Sequence, residues 1–199
     1  MVQRNILQQK IILVLLNNFS VKLTKYRVSK LAGTTTTRVF QVIKKLESLK
    51  LVNNTNVIDY EGLLNYYIKL DKTKYKKYYF QLSDPLSFFE NKKIDYALTT
   101  YSAENLVNHY LFLNKYQIYL TKEGYNSVEK EIKSKGFIGG GNLILMIPNN
   151  DLVFYNPQKI RNYKLVSIPQ LLIDLKKEGG ACIEAYSQIL DKYVFQKRN

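Results

Sequence analysis

Thr35, Thr36, Thr37, Arg38, Gln41, Lys44 and Lys45 lie within eleven residues of one another, and their types suit recognition of a nucleic acid better than bond-making chemistry. Arg grips guanine O6 and N7 with two hydrogen bonds, Gln does the same at adenine N6 and N7, and Thr reaches a thymine methyl or a phosphate. At helical spacing Thr37, Arg38, Gln41 and Lys45 share one face. Groups suited to covalent or metal chemistry are sparse. Cys182 and His109 are the single cysteine and histidine of the chain, so neither an intrachain disulfide nor a multi-cysteine zinc site can form. Cys182 follows Gly179-Gly180-Ala181 at a helix start and reads as a small buried thiol; His109 reads as a structural or surface residue within a helix. The run Gly139-Gly140-Gly141 precedes a strand and is followed by neither GK[ST] nor GxGxxG, so a flexible connection is expected there in place of a phosphate loop. Asp151 has no second carboxylate at metal-ligand spacing on a predicted strand. No catalytic residue, cofactor or metal is therefore assigned.

The charge is unevenly spread. The chain has 199 residues with a formal net charge of +14. Residues 1–70 hold eleven Lys and Arg against three acids, more than half of the excess in about a third of the length. That asymmetry predicts a polyanion-binding segment attached to a more balanced one. Apolar residues make up 46% and aromatic residues 13% of the chain, which supports a folded core and argues against disorder. The longest apolar run, Ile11–Leu16, is too short for a membrane span of about 20 residues or a signal-peptide core of roughly 7 to 15. A cytoplasmic protein with no membrane partner is expected.

The elements that must position the Thr, Arg and Gln side chains follow from periodicity. Leu7, Ile11, Val14 and Leu15 predict a first helix from Gln3 to Asn18. Ser20–Leu23 alternates and predicts a short strand. Thr24 caps a second helix, Lys25–Ala32, with Val28 and Leu31 inside and Gly33 just past its end. Thr35 caps a third, running to about Leu49 on a core stripe of Val39, Ile43 and Leu46, with Phe40 and Val42 at its flanks. Asn53-Asn54-Thr55-Asn56 then separates two short β-prone pieces, a small hairpin or wing. Helix, strand, helix, helix, hairpin is the order of a winged helix-turn-helix, whose third helix lies in the major groove. Lys44 and Lys45, with Arg27 and Lys30 of the second helix, are the expected phosphate contacts. Asn54 and Asn56 add contacts from the wing.

A short helix leaves the wing at Asp59–Tyr67. The Lys/Tyr tract Lys72–Phe80 reads as a strand whose aromatic side packs inward, within a basic connector over 71–94. Beyond it, strands are expected at Tyr96–Thr99, Tyr116–Leu120, Asn142–Ile147, Leu152–Tyr155 and Lys164–Ser167. Helices are expected from Ser102 (with Leu106, Val107 and Tyr110 inside), over Tyr125–Ser134, from Pro169 to Lys176 and over Gly180–Val194. The fold class is thus α+β: a winged helix-turn-helix over 1–70 and an α/β effector domain with a mixed sheet over 95–199.

The winged-helix segment, Asp59–Tyr67, Tyr96-Ala-Leu-Thr-Thr-Tyr-Ser-Ala103, Asn142, Leu165–Leu175, Gly179-Gly180 and Glu184-Ala185 together resemble the AbiEi family, antitoxins of type IV toxin-antitoxin or abortive-infection systems. Thr100 stands where that pattern carries Gly, and Ala181 where it carries Arg. The resemblance implies a regulator that represses its own operon through double-stranded operator DNA. Operators read by winged helices are often inverted repeats bound by two copies, so a homodimer or two monomers on one site is expected. The resemblance also implies a C-terminal domain that counters a nucleotidyltransferase-type toxin, without requiring direct toxin binding. Two other classes remain open: an enzyme processing nucleotides or nucleic acid through Asp151, and a winged-helix protein-interaction adaptor that never touches DNA.

Overall fold

The computed structural model describes residues 2–198. They form two compact units, one built from the chain up to Lys72 together with the stretch from Lys192 onward, the other Thr73–Asp191.

The first unit begins with helix α1 (Val2–Asn17), which packs on α2 (Lys25–Ala32), α3 (Thr36–Ser48) and α4 (Tyr60–Leu70). From Ile11 to Leu16 every side chain is at most 1% exposed, so α1 is enclosed all round over that stretch and not along a single stripe. Gln8 and Gln9, polar interruptions in the sequence, are buried as well. Their amides donate to the Tyr66 hydroxyl at 3.0 Å and the Asp71 carboxylate at 3.4 Å, as buried polar groups require. Asn17 and Asn18 close α1 by donating to the carbonyls of Leu13 and Val14 at 2.8 Å. The chain then turns, with the Val21 N–H on the Asn18 carbonyl at 2.9 Å. The expected strand at Ser20–Leu23 does not form, because this local turn takes a backbone donor that a ladder would need. The Leu23 carbonyl instead accepts from the buried Thr55 hydroxyl.

Thr24 caps α2 by accepting from the Arg27 N–H at 3.1 Å. Gly33, at φ 63° in the left-handed region, ends it: the Gly33 N–H reaches Lys30 and the Thr34 N–H reaches Ser29, the paired bonds of a Schellman stop. Ser29, 3% exposed, brings its hydroxyl to 3.3 Å from that of Thr36 and so pins the turn between α2 and α3. The buried residues of α2 are Val28, Ser29 and Ala32, whereas Leu31, expected inside, is half-buried. After α3 come two antiparallel strands, β1 (Val52–Asn53) and β2 (Asn56–Val57), closed through Asn54 at φ 54°, a conformation Asn tolerates better than most residues. Asp59 then caps α4 on the Gly62 N–H at 2.8 Å. Phe19 packs against Tyr60 and against Tyr193 of the last helix, α9 (Cys182–Arg198), with ring centroids 4.8 and 5.4 Å away.

The second unit is built on a mixed seven-stranded sheet. Its strands are β3 (Tyr75–Gln81), β4 (Tyr96–Thr99), β5 (Tyr116–Leu120), β6 (Phe137–Ile138), β7 (Leu143–Pro148), β8 (Gln158–Ile160) and β9 (Tyr163–Leu165), in the order β6-β3-β7-β5-β4-β9-β8. The pairs β5/β7 and β4/β9 are parallel and the remaining neighbours antiparallel. Central β4 is buried at every residue and β5 at all but one, the mark of strands covered on both faces. The helices of this unit are α5 (Pro85–Phe89), α6 (Thr100–Val107), α7 (Lys122–Lys135), α8 (Ile168–Glu178) and the start of α9. The Lys/Tyr tract of the 71–94 segment is β3, paired with β7 from Tyr75 to Phe80. Gly141 lies against this strand so closely that a Cβ there would stand 2.2 Å from the Phe80 carbonyl oxygen, which accounts for glycine at that position by close approach.

Three expectations in this unit need correction. Leu152–Tyr155 is not a strand: Asp151–Phe154 is a 3-10 turn, started by the Asn150 side chain accepting from the Leu152 N–H at 3.1 Å. Its apolar residues Leu152 and Val153 are buried without any ladder. A strand not foreseen, β8, pairs with β9 instead. The helix expected from Ser102 starts two residues earlier, at Thr100, the Ser102 hydroxyl being spent on the Thr99 and Gln117 carbonyls. Tyr110 and His109 lie outside it, since α6 stops at Val107. The fully buried Glu104 carboxylate draws the backbone out of the helix there, accepting from the Tyr110 and Leu111 N–H groups and the Asn108 amide at 2.8 to 3.2 Å. Among the described residues no helix is long and apolar enough to cross a membrane.

Candidate nucleic-acid interface and a buried polar cluster

Helix α3 exists where it does because Thr35 caps it, its hydroxyl oxygen accepting from the Arg38 N–H at 3.2 Å, and because Val39, Val42, Ile43 and Leu46 give it a buried side. Val42 belongs to that stripe and Phe40 does not. Opposite the stripe, Thr36, Thr37, Gln41, Lys44 and Lys45 are exposed and Arg38 is half-buried. The Arg38 guanidinium donates to the Gln41 amide oxygen at 3.2 Å, which presents the two side chains as one unit. Arg27 and Lys30 of α2 and Asn54 and Asn56 of the hairpin are exposed too. The Asn54 N–H is held by the Glu47 carboxylate at 2.8 Å, tying the hairpin to the end of α3. All these residues belong to the first unit.

The expected contacts differ in freedom. Lys45 sits 5.7 Å above the Tyr66 ring and Lys30 5.2 Å above that of Tyr26, while Lys25 lies 5.5 Å above Phe40. Tyr26 of α2 and Phe40 of α3 are 62% and 54% exposed, large rings beside cations, and Phe40 shares the α3 face that carries Thr37 and Gln41. Neither was singled out from sequence as a surface residue. The signal for Phe40 was present, since three residues after Thr37 and four before Lys44 is the outer face of the helix.

Sequence reasoning missed a second grouping altogether, in the other unit, where β4 turns into α6. Thr100 takes φ 44°, the left-handed region that a β-branched residue enters only at a cost of about 1–2 kcal/mol. The Thr99 hydroxyl donates to the Asp174 carboxylate at 2.6 Å and the Gln170 amide donates to the same group at 2.8 Å. Ser102 donates to the carbonyls of Thr99 and Gln117. Burial pushes the Asp174 carboxyl up to about 6 against the pull of these donors, and burial likewise lifts the Tyr119 phenol beside it. Nearby, Cys182 is buried, and its thiol lifts Tyr101 to about 12.

Asp151 lies elsewhere, at the rim of a cleft of about 670 Å³ beyond the ends of β5 and β7, which Asp95, Glu123, Lys122, Lys164 and Phe154 also line. Among the described residues no three acids, histidines or cysteines come together at metal-binding distance. Comparison of the chain with family models, curated proteins and solved structures finds no match.

Proposed function

We propose that the first unit is a winged helix-turn-helix that binds double-stranded DNA, and that the protein is a transcription regulator of the AbiEi antitoxin type. The observation that carries this reading is the outer face of α3, where Thr37, Gln41 and Lys44 stand exposed and Arg38 is bonded to Gln41. In this reading α3 enters the major groove, Arg38 and Gln41 read base edges, and Thr35, Thr36 and Thr37 set register. Lys44, Lys45, Arg27 and Lys30 meet phosphates, and Asn54 and Asn56 of the wing reach the neighbouring groove. The charge agrees with such a partner: the first unit holds fifteen Lys and Arg against four acids, the second fifteen against twelve. The second unit is the effector, opposing a nucleotidyltransferase-type toxin without chemistry of its own, and two copies occupy an inverted repeat. Fluorescence anisotropy with the duplex upstream of the protein's own gene tests this. Binding at least a hundredfold tighter than to a scrambled duplex is expected, and equal affinities overturn sequence-specific regulation.

One observation favours a second reading. Asp151 lines a cleft of about 670 Å³ together with Asp95, Glu123, Lys122 and Lys164, room enough for a nucleotide, although no three of these acids stand at metal-binding distance. Metal-dependent nucleotide turnover abolished by Asp151→Asn would decide for it. The exposed Tyr26 and Phe40 suit a protein partner as well as a nucleic acid, and a protein that retards no duplex would be read as an adaptor.

A further inference from the structure

Between α6, β5, β7, β3 and α8 of the second unit lies a cavity of about 160 Å³, the liquid volume of about five water molecules. It is too small for a nucleotide or a peptide. Thr100, Gln117 and Asp174 form its floor and are 3%, 4% and 5% exposed. Two of these three carry an orphan: Thr100 Oγ1 and Gln117 Oε1 are buried and make no hydrogen bond among the described residues. A buried polar atom left unmade costs about 1–3 kcal/mol, and here two of them belong to residues lining one cavity, with the Thr100 backbone held in the left-handed region. Strain and unmet polarity concentrated at one place mark a binding position.

The chemistry of the lining selects the occupant. The floor offers oxygens: a neutral amide oxygen, a hydroxyl and a carboxylate. The Gln117 amide nitrogen is taken by Glu178, also on the cavity lining, at 3.2 Å, which leaves its oxygen to accept. Three acceptors in a cavity of this size suit a primary ammonium, which has three N–H groups to place, and they repel a bare anion. The rim has the opposite character. Lys77 on β3 and Lys177 on α8 are exposed there, with Glu178 opposed to them. Tyr75 and Tyr119, stacked at 5.5 Å, supply the side wall. We propose that this cavity binds a small zwitterion of amino-acid size, its ammonium on the floor oxygens and its carboxylate at the rim lysines. This site is independent of the DNA reading, since all its residues belong to the second unit.

Titration calorimetry of the full chain near neutral pH, with each of the standard α-amino acids, methylamine and acetate as separate probes, tests the proposal. At least one amino acid should bind saturably, with methylamine and acetate at least about tenfold weaker because each lacks one of the two charges. Asp174→Asn and the near-isosteric Thr100→Val should each weaken that amino acid by about tenfold. Lys177→Ala, at an exposed position that leaves the core untouched, should weaken it several-fold and leave methylamine unchanged. Absence of saturable binding by every amino acid overturns the proposal. So does an amino acid that Lys177→Ala and Thr100→Val bind as tightly as the parent chain, or methylamine binding as tightly as the amino acid.

Discussion

At the scale of single residues, Arg38 and Asp174 carry the sharpest expectations. If Arg38 reads a base, Arg38→Ala lowers affinity for the cognate duplex by about 1–3 kcal/mol and leaves a scrambled duplex unaffected. Equal losses on both duplexes would make it a backbone contact. Lys44 is exposed and stands over no ring, unlike Lys45. Its replacement by Ala should reduce the slope of log affinity against log salt by about one, and an unchanged slope removes it from the phosphate contacts. Asp174 gives a pH signature. Its carboxyl titrates near 6 in the fold against an ordinary 3.8, so between those values the folded chain holds a proton that the unfolded chain has released. Its contribution to stability is therefore fullest in acid and declines as pH rises through that window, by up to about 3 kcal/mol. Urea unfolding at pH 4 and pH 7 should show Asp174→Asn lacking this decline. A variant whose stability tracks the parent's at both pH values contradicts it. Glu129 and Glu131 act in the other direction: bonds from Lys133 to the first and from Lys92 and Lys135 to the second hold their carboxyls below the ordinary range. They are half-buried, and they cancel when variant and parent are compared.

At the scale of elements, termination and capping matter more than propensity. Thr35→Ala removes the acceptor of the Arg38 N–H and should cost about 1 kcal/mol of stability, read from the urea midpoint. Because the cap sets where α3 starts, DNA affinity should fall with it. A variant with the parent's midpoint and affinity would mean that packing alone positions the helix. The caps were legible beforehand: Thr24 with Gly33 and Thr35 stand where a β-branched hydroxyl precedes an apolar period and where glycine follows one. The strand expected at Ser20–Leu23 was not legible as a turn, because alternation over four residues is equally compatible with a chain whose donors are taken locally by Asn18. Leu152–Tyr155 misled for a related reason: a buried apolar pair satisfies a 3-10 turn as well as a strand.

At the scale of the whole molecule, charge is the property with a direct readout. If Arg27, Lys30, Lys44 and Lys45 each neutralise a phosphate, raising salt from 50 to 200 mM should weaken duplex binding by on the order of a hundredfold. A salt-insensitive affinity would turn attention to the exposed rings of Tyr26 and Phe40 and to a protein partner. The unequal division of charge between the two units concentrates this effect in the first.

The order of helices in the first unit, the outer face of α3 and the surplus of positive charge could be read from the chain alone, because periodicity, capping chemistry and residue type are local properties. The grouping of Thr100, Gln117 and Asp174 could not. They come from a strand–helix turn, a strand and a distant helix, and only the antiparallel pairing of β4 with β5, which sets Thr99 opposite Gln117, and the packing that brings Asp174 of α8 onto the Thr99 hydroxyl put them side by side. The unmet hydrogen bonds of Thr100 and Gln117 arise only once those atoms are buried, and burial is a property of packing with no trace in sequence spacing.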